Sequence, residues 1–239
     1  MTPVIFAGPS LFGYRHLVPV GVEIRAPAGR GDVLLALRQG ASRIGLVDGY
    51  FGDRPSVWHK EILLAISEGV AVLGAASMGA LRAAECSACG MIGIGQIFAD
   101  YLHGLRTADS DVAVLHGPEE LGFAPLTVAQ VDAEAAIGWM EEHGRVTHDQ
   151  ARHLRVAARD LNFRDRTWVA IRVAAGLPRP LDDLMESALL TMGPSAKTRD
   201  ALELVARITT NHVQSSPLTI PITHYLNELD IATRRSLRR

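Results

Sequence analysis

Short apolar runs alternate with amphipathic helical stretches through the first half of the chain, and this alternation is the feature that most limits its fold. Apolar or β-branched runs occur at residues 4–7, 20–25, 44–47 and 70–73. Helical patterns lie between them at residues 32–38 and 55–67, and a further helix begins at Ser77. A strand about every 25 residues with helices between is typical of βαβ units. We therefore predict an α/β fold with a mainly parallel sheet and flanking helices.

The second half of the chain has a different pattern. From Thr127 onward Ala, Leu, Glu and Arg dominate, and amphipathic helices are predicted at residues 130–143, 149–162, 166–174, 181–191 and 197–212. One more strand is predicted at residues 112–116. We therefore divide the chain near residue 125, into an α/β core domain (residues 1–125) and a C-terminal all-helical region (residues 126–239).

Composition excludes several classes of protein. A hydrophobic content of 48% supports a packed core, and a net charge of −2 gives no reason to expect a nucleic acid as partner. Two cysteines, Cys86 and Cys89, are too few for a disulfide-built secreted scaffold. Neither a signal-peptide pattern nor an apolar run of membrane-spanning length occurs, so we expect a cytoplasmic protein without a membrane partner.

Ser77 stands in a pattern that is typical of a catalytic nucleophile. Residues 74–79 follow an apolar strand and open an Ala- and Leu-rich helix, as in a nucleophile elbow. Ala75 and Gly79 are the small residues that such a tight turn needs beside the serine. The N–H groups at the start of the helix suit a developing oxyanion, with the Met78 N–H as the first donor. The alternative is that Ser77 is only an N-cap, a position at which serine is favoured.

Lys60 is the candidate base for this serine. Only two lysines occur in the chain, Lys60 and Lys197. On the predicted helix Lys60 shares a face with apolar neighbours, Val57, Leu63 and Leu64, and an apolar environment disfavours a charged ammonium. A neutral lysine accepts a serine proton, as in Ser-Lys hydrolases. The alternative is that the Lys60 stem packs while its ammonium extends into water.

Residues beside the predicted pair are candidates for positioning it. The turn at Gly49 and Tyr50 ends a strand at the edge where parallel sheets bind ligands, so it is a candidate source of a second oxyanion donor. Four more residues are expected to support the pair: Asp48, His59, Arg82 and Glu85. Ordinary structural roles also explain these four, as a turn residue, a capping residue and a local ion pair. We predict no metal site.

The same segments resemble the TfuA-like family. The most specific motifs lie at residues 45–51, 57–63 and 74–85, which contain Asp48, Lys60 and Ser77. Further matching segments lie at residues 4–11, 26–32, 90–95 and 111–116. The resemblance extends over roughly residues 3–120 and leaves out the helical half of the chain.

This resemblance implies a role in peptide backbone thioamidation. It implies a YcaO-type enzyme as partner, which activates a peptide amide with ATP, and a ThiS-like sulfur carrier protein as substrate. A serine and a lysine of the family hydrolyse the C-terminal thiocarboxylate of the carrier and release sulfide. By motif these residues are Ser77 and Lys60, and the chemistry requires no cofactor. The precursor peptide is a further candidate partner.

Two alternative functions stay open at this point. In the first alternative, the protein is a non-catalytic docking module that enhances YcaO binding to its peptide substrate, and Ser77 is only a helix cap. In the second alternative, the protein is a serine hydrolase for an unrelated acyl substrate. Sulfide release from a thiocarboxylated carrier in the absence of YcaO distinguishes the thiocarboxylate hydrolase from both.

Overall fold

A parallel sheet organises the first part of the chain. The computed structural model describes residues 2–52, 54–210 and 223–237. Its strands are β1 (Val4–Phe6), β2 (Glu23–Arg25), β3 (Arg43–Leu46), β4 (Ala71–Ala75) and β5 (Ile92–Ile94). They pair in the order β2-β1-β3-β4-β5, and every pairing is parallel. The predicted α/β class with a mainly parallel sheet is confirmed.

Helices flank the sheet and make up most of the later part of the chain. They are α1 (Asp32–Arg38), α2 (His59–Ser67), α3 (Met78–Cys86), α4 (Gln96–Leu102), α5 (Gln130–Glu142), α6 (His148–Asp160), α7 (Trp168–Ala174), α8 (Pro180–Met192), α9 (Ala196–Ile208) and α10 (His224–Ser236). Their amphipathic patterns had predicted α1 and α5 to α9, although the predicted end of α9 at His212 lies outside the described residues. Among these helices, none combines the length and the apolar character needed to cross a bilayer.

The two faces of the sheet are covered by different helices. Val4 and Phe6 of β1 belong to a core with α1, α2, α3 and α10, whereas Ile5 between them belongs to a core with α9. This alternation follows from the two-residue period of a strand. Strands β1, β3 and β4 are buried on both faces and read as continuous apolar runs, which explains why the sequence pattern identified them.

Contacts within the structure divide the chain at other positions than residue 125. One unit comprises Met1–Thr107 and Asp200–Arg239, and the other comprises Ala108–Arg199. The first division follows α4, and the second falls within α9. The later residues of α9, including Leu204 and Ile208, pack in the same core as Ile5 of the sheet. Apolar periodicity identifies the buried face of such a helix but not the core that this face joins.

The unit Ala108–Arg199 has a helical core of its own. Helices α5 to α8 surround buried apolar side chains, among them Ile137, Met140, Leu154 and Ile171. The structure corrects one prediction here, because residues 112–116 form no strand. An isolated antiparallel bridge joins His116 to Pro125. A side chain also satisfies the backbone, since Lys197 Nζ donates to the Val112 carbonyl at 2.8 Å.

Helix α2 begins later than its sequence pattern suggested. The pattern placed the start at Pro55, but the helix begins at His59. The Glu61 carboxylate accepts the Trp58 N–H at 3.0 Å and so fixes the first turn. The Pro55 carbonyl instead accepts the Arg30 N–H at 2.9 Å, which ties the segment before α2 to the loop after β2.

Candidate functional site

Lys60 and Ser77 lie at the same edge of the sheet. Because all strands are parallel, their carboxyl ends meet at one edge, from which β3 leads into α2 and β4 leads into α3. Lys60 is the second residue of α2, and Ser77 directly precedes α3. The strand order is that of flavodoxin-like sheets, which bind ligands at this edge. The topology therefore brings both predicted residues to the expected ligand edge.

A strained turn presents Ser77. Ala76, which precedes it, has a φ of 65°, in the left-handed region that favours glycine. The Ser77 N–H donates to the Ala75 carbonyl at 2.8 Å, two residues back, which closes a γ-turn around Ala76. A γ-turn with positive φ is rare and strained. Observed strain of this kind clusters at functional sites, and it supports the interpretation of this turn as a nucleophile elbow.

The Ser77 side chain is not used as a helix cap. Within α3, all of whose residues are described, the Ser77 hydroxyl accepts no capping hydrogen bond, although serine commonly does so at this position. The Ser77 carbonyl makes the usual contact and accepts the Ala80 N–H at 2.9 Å. Ser77 is 3% exposed, so its hydroxyl lies in a largely desolvated environment at the sheet edge.

Two glycines allow the start of α3 to pack directly on the end of β3. The Gly79 N–H donates to the Val47 carbonyl at 3.1 Å. A Cβ atom on Gly79 would lie 1.7 Å from the Leu46 carbonyl oxygen, which a real structure does not permit. A Cβ atom on Gly49 would lie 2.8 Å from Met78 Cγ. The small residues of the elbow are therefore required by close backbone packing beside Ser77.

This packing brings Met78 and Gly49 into contact, and each carries a backbone N–H. In the hydrogen bonds of the described residues, neither the Met78 N–H nor the Gly49 N–H has an acceptor. The Tyr50 N–H, by contrast, donates to the Ala28 carbonyl at 3.1 Å. Met78 and Gly49 thus supply the two candidate oxyanion donors, while Tyr50 fixes the turn that carries one of them.

Asp48 holds the neighbouring loop in place. Its carboxylate accepts the Gly8 N–H at 2.8 Å, the Ser10 N–H at 3.0 Å and the Ser10 hydroxyl at 2.7 Å. Asp48 and Ser10 are both buried. The carboxylate bridges the loops that leave β1 and β3, the point at which connections diverge in this strand order. Asp48 therefore orients the turn at Gly49 through the backbone.

Lys60 is half-buried near the start of α2. Of its predicted apolar neighbours, Val57 and Leu64 are buried and Leu63 is partly buried. The Lys60 ammonium forms no hydrogen bond or ion pair with any residue in the described ranges, so it is not bonded to Ser77 in this structure. The Ser77–Lys60 pair stays a prediction.

A polar network ties the segment before α2 to α3. The Arg82 guanidinium donates to the Val57 carbonyl at 3.0 Å and to the Ser56 hydroxyl at 3.3 Å. Arg82 also pairs with Glu85 at 2.6 Å, and the Glu85 carboxylate lies 2.7 Å from His59 Nε2. Three of the four residues expected to support the pair, His59, Arg82 and Glu85, thus meet. They fix the first turn of α2, where Lys60 lies, against the helix that follows Ser77.

Glu61 is a positioning residue that the sequence analysis missed. Its buried carboxylate accepts the Gly31 N–H at 2.9 Å and the Leu34 N–H at 3.3 Å, in addition to the Trp58 N–H. It therefore joins the first turns of α1 and α2, and burial raises its pKa. The available signal was a glutamate three residues after a helix N-cap, the spacing of a capping box.

Of the two cysteines, Cys86 is the buried one. Burial raises the pKa of the Cys86 thiol to about 11, which disfavours the thiolate at neutral pH. Cys89 lies partly buried in the turn after α3. The Cys86 thiol is therefore a poor nucleophile at neutral pH.

The fold and the site together define a class: α/β proteins that present a serine on a strained strand-to-helix turn at the ligand edge of a parallel sheet. A comparison with protein-family models narrows the class, because the TfuA-like protein model matches residues 48–167, half of the chain. The chain belongs to the TfuA-like family. A search of curated proteins found no significant match.

The family match bears on the earlier resemblance in two ways. It confirms the TfuA-like identification, and it contains Lys60, Ser77 and every other predicted site residue. Its limits differ from the predicted limits, since it begins at Asp48 and continues into the helical part that had shown no resemblance. Membership of the family supports an association with YcaO-dependent thioamidation and a YcaO enzyme as partner.

Proposed function

We propose that the protein is a cytoplasmic thiocarboxylate hydrolase that supplies sulfide to a YcaO enzyme. Its substrate is the C-terminal thiocarboxylate of a ThiS-like sulfur carrier protein, and the precursor peptide joins the complex as a substrate of YcaO. The observation that carries this proposal is the strained turn at Ala76, which presents a Ser77 hydroxyl that is not spent on capping α3. Backbone strain of this kind is a cost that a purely structural turn has no reason to keep.

The reaction we propose is acyl transfer to Ser77. The Lys60 amine takes the Ser77 Oγ proton while Oγ attacks the terminal carbonyl carbon of the carrier. The Met78 and Gly49 N–H groups stabilise the tetrahedral oxyanion. The C–S bond then breaks, the Lys60 ammonium returns the proton, and sulfur leaves as hydrosulfide. Water attacks the resulting ester with Lys60 again as base, which frees the carrier as a carboxylate.

Sulfide release in the absence of YcaO tests this function. We expect the purified protein to release sulfide catalytically from a thiocarboxylated carrier and to leave a carrier with an ordinary carboxyl terminus. Sulfide is measured colorimetrically and the carrier by intact mass. A protein that releases no sulfide but strengthens YcaO binding to its peptide is the docking module instead. Turnover of small esters with none of the carrier indicates an unrelated acyl substrate.

Substitutions of Lys60 test whether this residue acts as the base. Lys60→Arg is expected to be nearly inactive, because a guanidinium stays protonated and cannot accept the Ser77 proton. Lys60→Ala is expected to lose activity and to regain part of it when a small primary amine is added, since the amine replaces the missing base. Initial rates of sulfide release are the measurement. Ser67→Ala at the far end of the same helix is the control and should retain most activity, since the Ser67 hydroxyl only donates to the Leu64 carbonyl at 2.8 Å. A fully active Lys60→Arg protein would show that position 60 supplies only positive charge.

A further inference from the structure

Two arginines at the site edge lie over aromatic rings instead of pairing with carboxylates. The Arg54 guanidinium lies 4.6 Å from the centroid of the Tyr50 ring, and the Arg30 guanidinium lies 5.1 Å from the centroid of the Trp58 ring. Both arginines are exposed. No carboxylate in residues 2–52, 54–210 and 223–237 forms an ion pair with either. A cation–π contact of this kind places the guanidinium charge at the ring without consuming its N–H donors in conventional hydrogen bonds.

The loops that carry these arginines are joined to each other and to the serine turn. The Arg30 N–H donates to the Pro55 carbonyl at 2.9 Å, which links the loop after β2 to the segment before α2. The Tyr50 ring that supports Arg54 follows Gly49 in the chain, and Gly49 packs against Met78 beside the serine. The two stacked arginines therefore belong to the rim of the candidate site.

Nearby carboxylates are already used by the backbone. Asp32 accepts the Gly29 N–H at 2.7 Å, and Asp48 and Glu61 bind the N–H groups described above. These carboxylates are hydrogen-bonded to backbone N–H groups, and none of the three forms an ion pair with Arg30 or Arg54 in the described structure. The two guanidinium groups are therefore exposed positive charges at this edge, although the whole chain carries a net charge of −2. A local field of this sign attracts and orients an anionic ligand.

We propose that Arg30 and Arg54 form a cationic rim that binds the anionic C-terminus of the substrate. The inference rests on the proposed function and adds a selectivity to it: the site takes an anionic thioacid terminus in preference to a neutral thioester or amide. A guanidinium fork matches the planar, two-acceptor geometry of a carboxylate or thiocarboxylate. The rim holds the terminus by its charge while the carbonyl carbon approaches Ser77.

A binding experiment tests the rim without relying on turnover. The probes are the carrier ending in a carboxylate, which is the reaction product, and the same carrier ending in an amide, with dissociation constants measured by calorimetry. The product should bind the parent protein more tightly than the amide. In the Arg30→Gln/Arg54→Gln double variant the product should bind about tenfold more weakly or worse, while amide binding should not change. Arg54→Lys should keep part of the preference, because it keeps the charge.

The control is Arg145→Gln, which removes an exposed arginine between α5 and α6 and should change neither dissociation constant. Equal loss of product and amide binding in the double variant would overturn the proposal, because the arginines would then contact the body of the carrier. Unchanged product binding would overturn it too. A parent protein that prefers the carboxylate terminus but releases no sulfide would support the rim while contradicting the hydrolase function.

Discussion

Replacing Ser77 with alanine is expected to abolish sulfide release from a thiocarboxylated carrier while the fold is retained. The substitution removes the atom that attacks the carrier and leaves the backbone of the turn unchanged. One lost hydroxyl costs about 1 kcal/mol of unfolding free energy, too little to unfold a domain of this size. Sulfide release and a urea unfolding curve are the two measurements.

The matched control for this variant is Ser87→Ala. Ser87 follows the other end of α3, where its hydroxyl donates to the Ala84 carbonyl at 3.1 Å. The Ser87→Ala protein should release sulfide at the parent rate and lose about as much unfolding free energy as the Ser77→Ala protein. If Ser77→Ala also works at the parent rate, Ser77 is not the nucleophile, and the docking module becomes the better explanation of the family association.

Gly79→Ala is expected to give the largest loss of stability. The added methyl group would lie 1.7 Å from the Leu46 oxygen and 2.5 Å from the Leu46 carbonyl carbon, both of them backbone atoms that cannot rotate away. The start of α3 must then move off the end of β3. We expect a loss of about 3 kcal/mol or more and a loss of sulfide release, since the Met78 and Gly49 donors separate. Urea unfolding measures the first effect.

Gly138→Ala provides the opposite control. Gly138 lies inside α5, and the nearest atom to an added Cβ is the end of the Arg155 side chain at 4.0 Å. The same chemical change should there stabilise the protein by up to about 1 kcal/mol through helix propensity. A Gly79→Ala protein that unfolds at the same urea concentration as the parent would contradict the close packing of α3 on β3.

The sequence predicted β1, β3 and β4 well because these strands are buried on both faces and read as apolar runs. It missed β5, whose three residues include a glycine, so neither length nor composition marks a strand. It placed a strand at residues 112–116 because an apolar run shows that a segment is buried and not what satisfies its backbone. Here the Lys197 ammonium, which lies 85 positions later in the chain, donates to the Val112 carbonyl.

The candidate site was predictable where it depends on local chain geometry. Small residues around Ser77 indicated a tight turn, and the structure shows which backbone atoms require Gly79. The supporting contacts were beyond prediction, because Asp48 binds a loop 38 to 40 residues earlier and Glu61 binds one 27 to 30 residues earlier. Arg30 and Arg54 carried no signal at all, since stacking on an aromatic ring has no sequence spacing.

The alanine at position 76 has a consequence for engineering this protein. Glycine adopts a φ of 65° without strain, so a thermostability screen should favour Ala76→Gly if the turn serves stability alone. Alanine restricts the peptide to fewer conformations than glycine does, and the direction of the Ser77 side chain is then set by the main chain itself. Selection for heat resistance and selection for turnover should therefore choose different residues at position 76.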